Sequence, residues 1–187
     1  MKKFALISLI IGLATPSFAL NNYTLFKNGK TDYKVVISDN ASQTEKYAAS
    51  VLTNYLNAIS GAIFPLIEEK DSSSSKNNIY IGYSSKISDK KFKNSDESFK
   101  YFNKKNNIVI RGGKNRGTMY GVFSFLENEL GVRWLTSKVK IIPERSEHKF
   151  SVLFREESPA IKFRIVDYYD MQEGSISAPL KNNSLRV

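Results

Sequence analysis

Ile108-Val-Ile-Arg-Gly-Gly-Lys-Asn-Arg-Gly-Thr-Met-Tyr-Gly-Val-Phe-Ser-Phe-Leu-Glu-Asn-Glu-Leu-Gly-Val-Arg-Trp134 is the stretch that decides the fold. It reads as a short apolar strand, a glycine-rich turn, an amphipathic helix over about residues 116–130 and a second short strand. Tyr120, Phe123, Leu126 and Leu130 recur at helical spacing and form the apolar stripe. Gly131 follows as the closing residue, where a positive φ costs only glycine nothing. Gly112 and Gly113 suit a tight strand-to-helix turn, and Gly117 and Gly121 suit close approach of helix to sheet.

Upstream, Asp32 to Ser38 is a β-branched strand pattern closed by Asp39-Asn40. Ser42-Gln-Thr-Glu45 is a capping box that opens a helix. Its stripe is Tyr47, Ala48, Val51, Leu52, Tyr55, Leu56 and Ile59, and Gly61 ends it. Ile63 to Glu69 reads as a strand edged at Pro65, and Asn78 to Tyr83 as a strand of a sheet centre. Ser98 to Phe102 and Asn107 to Arg111 flank a Lys-Lys-Asn turn as a hairpin. Val132 to Leu135 and Val139 to Ile142 are short strands ahead of Pro143. The order β-α-β-β-β-β-α-β predicts an α+β two-layer sandwich, a mixed sheet with two helices on one face. Pro159 to Tyr169 has a strand pattern with no visible partner, and 172–187 is polar and loop-like.

Residues 1–19 are expected to be a cleaved secretory signal. Lys2 and Lys3 precede an apolar run from Phe4 to Ala14, and Ser17 and Ala19 are the small residues a signal peptidase requires. The run is shorter than the roughly 20 residues that span a bilayer, so no transmembrane segment is expected. Residues 20–150 form the expected domain and 151–187 a tail. An unpaired strand pattern in that tail is an aggregation liability, so cutting after Phe150 is expected to improve solubility.

The 187 residues contain no cysteine, which excludes thiolate metal sites and thiol catalysis. His148 is the single histidine, so a Ser-His-Asp triad has one possible centre and a multi-histidine metal site has none. No metal or cofactor is expected. Net charge is +10, and +8 without Lys2 and Lys3. The lysines sit in asparagine-rich loops such as Lys104-Lys105-Asn106-Asn107, not on a helix face or among aromatics, which argues against a nucleic-acid partner. Attraction to an anionic envelope surface or an acidic glycan fits better.

The turn Arg111-Gly-Gly-Lys-Asn-Arg-Gly-Thr118 precedes a helix N-terminus, where backbone amides favour an anion. It lacks the Gly-Lys-Ser/Thr of a phosphate loop. Arg111, Lys114 and Arg116 are the candidate anion or sugar ligands there. Trp134, the single tryptophan, is a candidate stacking platform if exposed and a core residue if buried. Glu127 and Glu129 point to different faces of a helix and cannot be a catalytic pair. Glu127 is placed to pair with Arg133 or Arg116. No two carboxyls suggest the pair, about 5–10 Å apart, that a glycosidase needs.

The ordered pattern Arg111-Gly112-Gly113 … Arg116-Gly117-Thr118 … Tyr120-Gly121-Val122 … Phe125-Leu126-Glu127 … Leu130-Gly131-Val132-Arg133-Trp134-Leu135-Thr136 resembles the N-terminal domain of family 67 α-glucuronidases and their bacterial relatives. The same domain type precedes the barrel of family 20 β-N-acetylhexosaminidases. Tyr55-Leu56, Ser60-Gly61, Phe64-Pro65 and Ile79-Tyr-Ile-Gly82 fit as well, so the resemblance spans about residues 35–169. It implies an α+β unit packed beside a (β/α)8 barrel that holds the catalytic carboxylates. Pro159 to Tyr169 looks like the entry into the first barrel strand, and Pro179 to Leu185 like the segment after it, with Lys181, Asn182 and Asn183 as departures. The resemblance assigns no catalytic residue to these positions. It implies a non-catalytic accessory domain of an exported glycoside hydrolase, partnered by a barrel and acting on an acidic or amino-sugar glycan. A stand-alone glycan- or envelope-binding module and the product of a broken gene are the alternatives.

Overall fold

The computed structural model describes residues 22–73, 77–87, 92, 97–113, 116–166, 171 and 173–183. Strand β1 is Tyr23–Lys27, β2 is Lys34–Ile37 and β3 is Leu66–Glu68, with helix α1, Gln43–Ser60, between β2 and β3. Next come β4, Asn78–Ile81, the hairpin β5, Phe99–Lys104, and β6, Asn107–Gly112, and helix α2, Gly117–Asn128. After it lie β7, Arg133–Trp134, β8, Lys140–Ile141, β9, Glu147–Phe150, β10, Phe154–Glu157, and the short α3, Gly174–Ser177. The main sheet has six strands in the order β10-β5-β6-β4-β2-β3. β3, β2, β4 and β6 run parallel, while β5 and β10 add antiparallel pairings. Both long helices pack against one face of this sheet, which is the α+β sandwich the sequence predicts.

Local chemistry explains the elements. Ser42 Oγ accepts from the Glu45 amide at 3.2 Å and the Glu45 carboxylate accepts from the Ser42 amide at 2.8 Å, completing the capping box. Gly61 closes α1 at φ 67°. Ala48, Ala49, Leu52, Leu56 and Ile59 face the sheet, but Tyr47 lies off the stripe and is exposed. Strand β6 alternates: Ile108 and Ile110 enter the large core under the helices, and Val109 joins Val36, Tyr80 and Ile87 in a smaller cluster on the other face.

Helix α2 is buried from Gly117 to Leu126 on every side. The sheet lies below it, α1 beside it, and part of the tail above it, where the Tyr120 hydroxyl donates to the Asn182 carbonyl at 3.3 Å. This close seating requires glycine at two places. A Cβ on Gly112 would lie 2.4 Å from the Ser98 carbonyl oxygen and 2.5 Å from the Gly117 carbonyl carbon, and one on Gly117 would lie 2.4 Å from the same Ser98 oxygen.

Three features differ from the sequence reading. β1 and β9 pair with each other in a separate two-stranded sheet, and so do β7 and β8. β10 lies beyond residue 150 yet pairs with β5 from Phe154↔Phe102 to Glu157↔Phe99, so the main sheet includes it. Residues 158–166 do not form a strand, and residues 167–170 lie outside the described residues. Ile176, Ser177, Ala178 and Asn182 are buried, so this part of the tail is packed and not a free loop.

Candidate functional site

Of the four candidate ligands, the three described ones, Arg111, Arg116 and Trp134, do not converge. Arg111 shares the sheet face of Val109, opposite the helices, and is 1% exposed. Its guanidinium lies 5.5 Å from the Tyr83 ring centroid and 5.4 Å from that of Phe102, within cation–π range of both rings. The period-two alternation of β6 places it there, away from the turn that follows. Lys114 lies outside the described residues. Arg116 is the half-buried N-cap of α2 and makes no side-chain cap. Three described amides flanking the turn are engaged by the chain itself. Gly112 N–H donates to Thr118 Oγ1 at 3.1 Å, Gly113 N–H to the Ser98 carbonyl at 3.2 Å, and Thr118 N–H to the Gly113 carbonyl at 3.4 Å.

Trp134 lies past the other end of α2, whose 12 residues span about 18 Å. It is half-buried, donates from Nε1 to the Tyr55 hydroxyl at 2.8 Å, and meets Phe123 and Tyr55 edge-on. Gly131 turns the chain at φ 79°, and Arg133 donates to the carbonyls of Glu127, at 2.7 Å, and Val132, at 2.9 Å. The pairing foreseen for Glu127 is therefore made by its backbone oxygen. Glu129 accepts instead from the Tyr101 hydroxyl at 2.6 Å.

His148 cannot serve a hydrolase triad as it stands. Its Nδ1 faces Arg145 Nη1 at 3.2 Å, where a triad requires a carboxylate, and its ring stacks on Phe26. Burial first, and the Arg145 charge second, push its pKa down to about 4. No group of three or more carboxylates or histidines suited to a metal occurs among the described residues.

The surface feature that stands out lies in the tail. Ile161, Phe163, Ile165 and Val166 are 48–81% exposed, with Leu180 and Phe154 exposed as well. Ile161, Phe163, Ile165 and Val166 turn apolar side chains to solvent, while Arg164 among them is held against the domain. Arg164 forms an ion pair with Glu97, donates from Nε to the Lys181 carbonyl at 2.7 Å and from Nη1 to the Ile161 carbonyl at 2.6 Å. Asn183 and Arg164 exchange further bonds, with Arg164 N–H donating to Asn183 Oδ1 at 2.7 Å. Lys181 pairs with Glu157 at 2.8 Å. Burial works to raise the Glu157 pKa, but hydrogen bonds from Lys181 and Arg155 outweigh it and hold the carboxyl below its usual range. The segment is thus pinned through its backbone and Arg164, with its large apolar side chains left bare. Among the described residues, no helix is long and apolar enough to cross a membrane.

No family model matches the chain, and no curated protein matches it in sequence. Solved structures do match its fold. A family GH115 4-O-methyl-α-glucuronidase with specificity for decorated arabinogalactans aligns over 76% of this chain and 19% of its own, with a TM-score of 0.54 and 17% identity. The chitobiase of Flavobacterium johnsoniae aligns over 77% of this chain and 19% of its own at 21% identity, with a TM-score of 0.48. A Streptomyces plicatus β-hexosaminidase aligns over 76% and 24% at 13% identity, with a TM-score of 0.48. The chain therefore spans about a fifth to a quarter of the length of these proteins. The fold is shared with a part of the GH115 α-glucuronidase.

Proposed function

We propose that this chain is the non-catalytic accessory α+β domain of an exported glycoside hydrolase of the α-glucuronidase-like or hexosaminidase-like kind. The catalytic (β/α)8 barrel packs on the apolar row of the tail, and comes from a further part of the same polypeptide or from a partner chain. The observation that carries this reading is the row itself. Ile161, Phe163 and Ile165 alternate in sequence as the residues of a strand would, yet all three are exposed. Several large apolar side chains exposed within one short segment mark an interaction site. The likeness of fold to part of an α-glucuronidase and the ordered motif from Arg111 to Thr136 supply the family context.

Export follows from the basic and apolar pattern of residues 1–19, with cleavage after Ala19. N-terminal sequencing of the protein recovered from the cell exterior or periplasm tests it. For activity, the purified chain from Leu20 onward is assayed against 4-nitrophenyl α-D-glucuronide and 4-nitrophenyl N-acetyl-β-D-glucosaminide. The expected rate is that of buffer, and turnover that survives repurification refutes the accessory reading.

A further inference from the structure

A cavity of about 260 Å³ opens where the tail meets the end of the main sheet, next to the apolar row but distinct from it. Its floor is Phe99 and Tyr120, both buried. Each ring carries a cation, and each cation is held by a carboxylate. Lys181 Nζ lies 4.9 Å from the Phe99 centroid and pairs with Glu157. The Arg164 guanidinium lies 5.7 Å from the Tyr120 centroid and pairs with Glu97. All six groups line the cavity.

We propose that this cavity binds one neutral pyranose ring. The volume lies just under the roughly 300 Å³ at which pockets for drug-sized ligands begin, so it suits a single ring. Two carboxylates and two cations make the lining neutral overall, so a charged ligand meets a like charge for every opposite one. An apolar ligand would strip water from four charged groups and return no hydrogen bond. A ring of hydroxyls, each both donor and acceptor, can bridge to carboxylate oxygens and to cationic N–H groups at once. Its C–H edges then rest against Leu180 and Pro159 at the open side of the cavity. Junctions between structural units are also where such sites concentrate. The inference stands on the cavity and does not require the barrel to dock on the tail.

The test uses the chain from Leu20 onward and saturation-transfer NMR, with titration calorimetry for affinity. The probes are D-glucose, methyl β-D-glucoside, cellobiose and sodium glucuronate. Glucose and methyl glucoside are expected to bind in the millimolar range, cellobiose no tighter than glucose, and glucuronate at least tenfold more weakly. Leu180 is exposed, so Leu180→Trp fills the mouth without touching the core, and is expected to abolish glucose binding with an unchanged circular dichroism spectrum. Glu97→Gln leaves Arg164 without its carboxylate and is expected to reverse the order, with glucuronate binding more tightly than glucose. Absence of binding by all four sugars, glucuronate binding as well as glucose to the unaltered chain, or full affinity in Leu180→Trp overturns the proposal. Cellobiose binding tenfold tighter than glucose overturns the single-ring site in favour of an extended glycan surface.

Discussion

Replacing Gly117 by alanine separates two readings of the glycine-rich turn. Within a helix, alanine is ordinarily the better residue, by at most about 1 kcal/mol. Here the new methyl would lie 2.4 Å from the Ser98 carbonyl oxygen and 3.1 Å from both the Cα and the carbonyl carbon of Gly112. Those are backbone atoms of the sheet end, not tips of flexible side chains, so the strain is relieved only by lifting α2. Overpacking of a close-packed site costs about 1–3 kcal/mol, and contacts this short belong at the upper end. The net expectation is a loss of about 2 kcal/mol, which for a domain of this size lowers Tm by about 4–8 °C. Gly174 supplies the control, because a Cβ there meets nothing within 4 Å. Gly174→Ala is expected to leave stability unchanged or raise it by about 0.5 kcal/mol. Urea denaturation of the two variants, followed by circular dichroism, makes the measurement. Gly117→Ala at or above wild-type stability would refute the geometric account and return the turn to ligand binding.

Truncation after Phe150 removes β10 from β5 and strips the tail from α2, so solubility and Tm are expected to fall; light scattering and thermal melting check this, and it reverses what the sequence alone suggests. Stability is expected to decline between pH 6.5 and about 4 through His148, whose folded pKa is depressed. The unfolded state binds the extra proton across that window, so the contribution is complete above 6.5 and is lost as pH falls toward 4. It reaches at most about 3 kcal/mol, and His148→Phe should flatten that part of a denaturation-versus-pH curve. Glu69 adds a second, lower window. Burial works to raise its pKa, but hydrogen bonds from Ser84, the Lys86 amide and Ser85 outweigh that and lower it, so its contribution holds above about pH 4.5 and is lost on further acidification. Glu69→Gln should remove that second step while leaving the first in place. Tyr55→Phe deprives the Trp134 Nε1–H of its acceptor, with an expected cost of about 1 kcal/mol and a change in the fluorescence of the single tryptophan. Arg164→Met should release the segment 158–166, seen as faster chymotryptic cleavage at Phe163 than in the wild type.

The elements that local chemistry specifies were legible in the sequence. The capping box at Ser42, the left-handed glycine at 61 and the Lys-Lys-Asn turn each contain their own instructions within a few residues, whereas the stripe read from Tyr120 to Leu130 belongs to a helix buried all round. What the sequence concealed depends on partners far along the chain. Phe154-Arg-Glu-Glu157 has no apolar alternation, and it is a strand because the edge of β5 accepts it. β1 and β9 stabilise each other across more than a hundred residues, with Phe150 packed against Tyr23 and Tyr33. Conversely, the 159–169 segment has a strand's pattern and, over 159–166, pairs with no strand among the described residues.

The same distinction separates the candidate ligands from the surface that the structure offers. Arg111 and Arg116 are five residues apart and look like one basic turn, but the alternation of β6 sends Arg111 through the sheet to its far face. A run of charges in sequence is no guarantee of a shared surface when a strand ends between them. Glu97, Glu157, Arg164 and Lys181 are scattered over 85 positions, and no local pattern joins them. They meet because the tail folds back over α2, the element whose glycine-rich entry lets the helix sit close to the sheet. The turn, whose glycines the sequence already suits to close packing, is the device that positions this surface. Its glycines bring α2 down, α2 presents Tyr120, and the tail closes over that ring with Arg164.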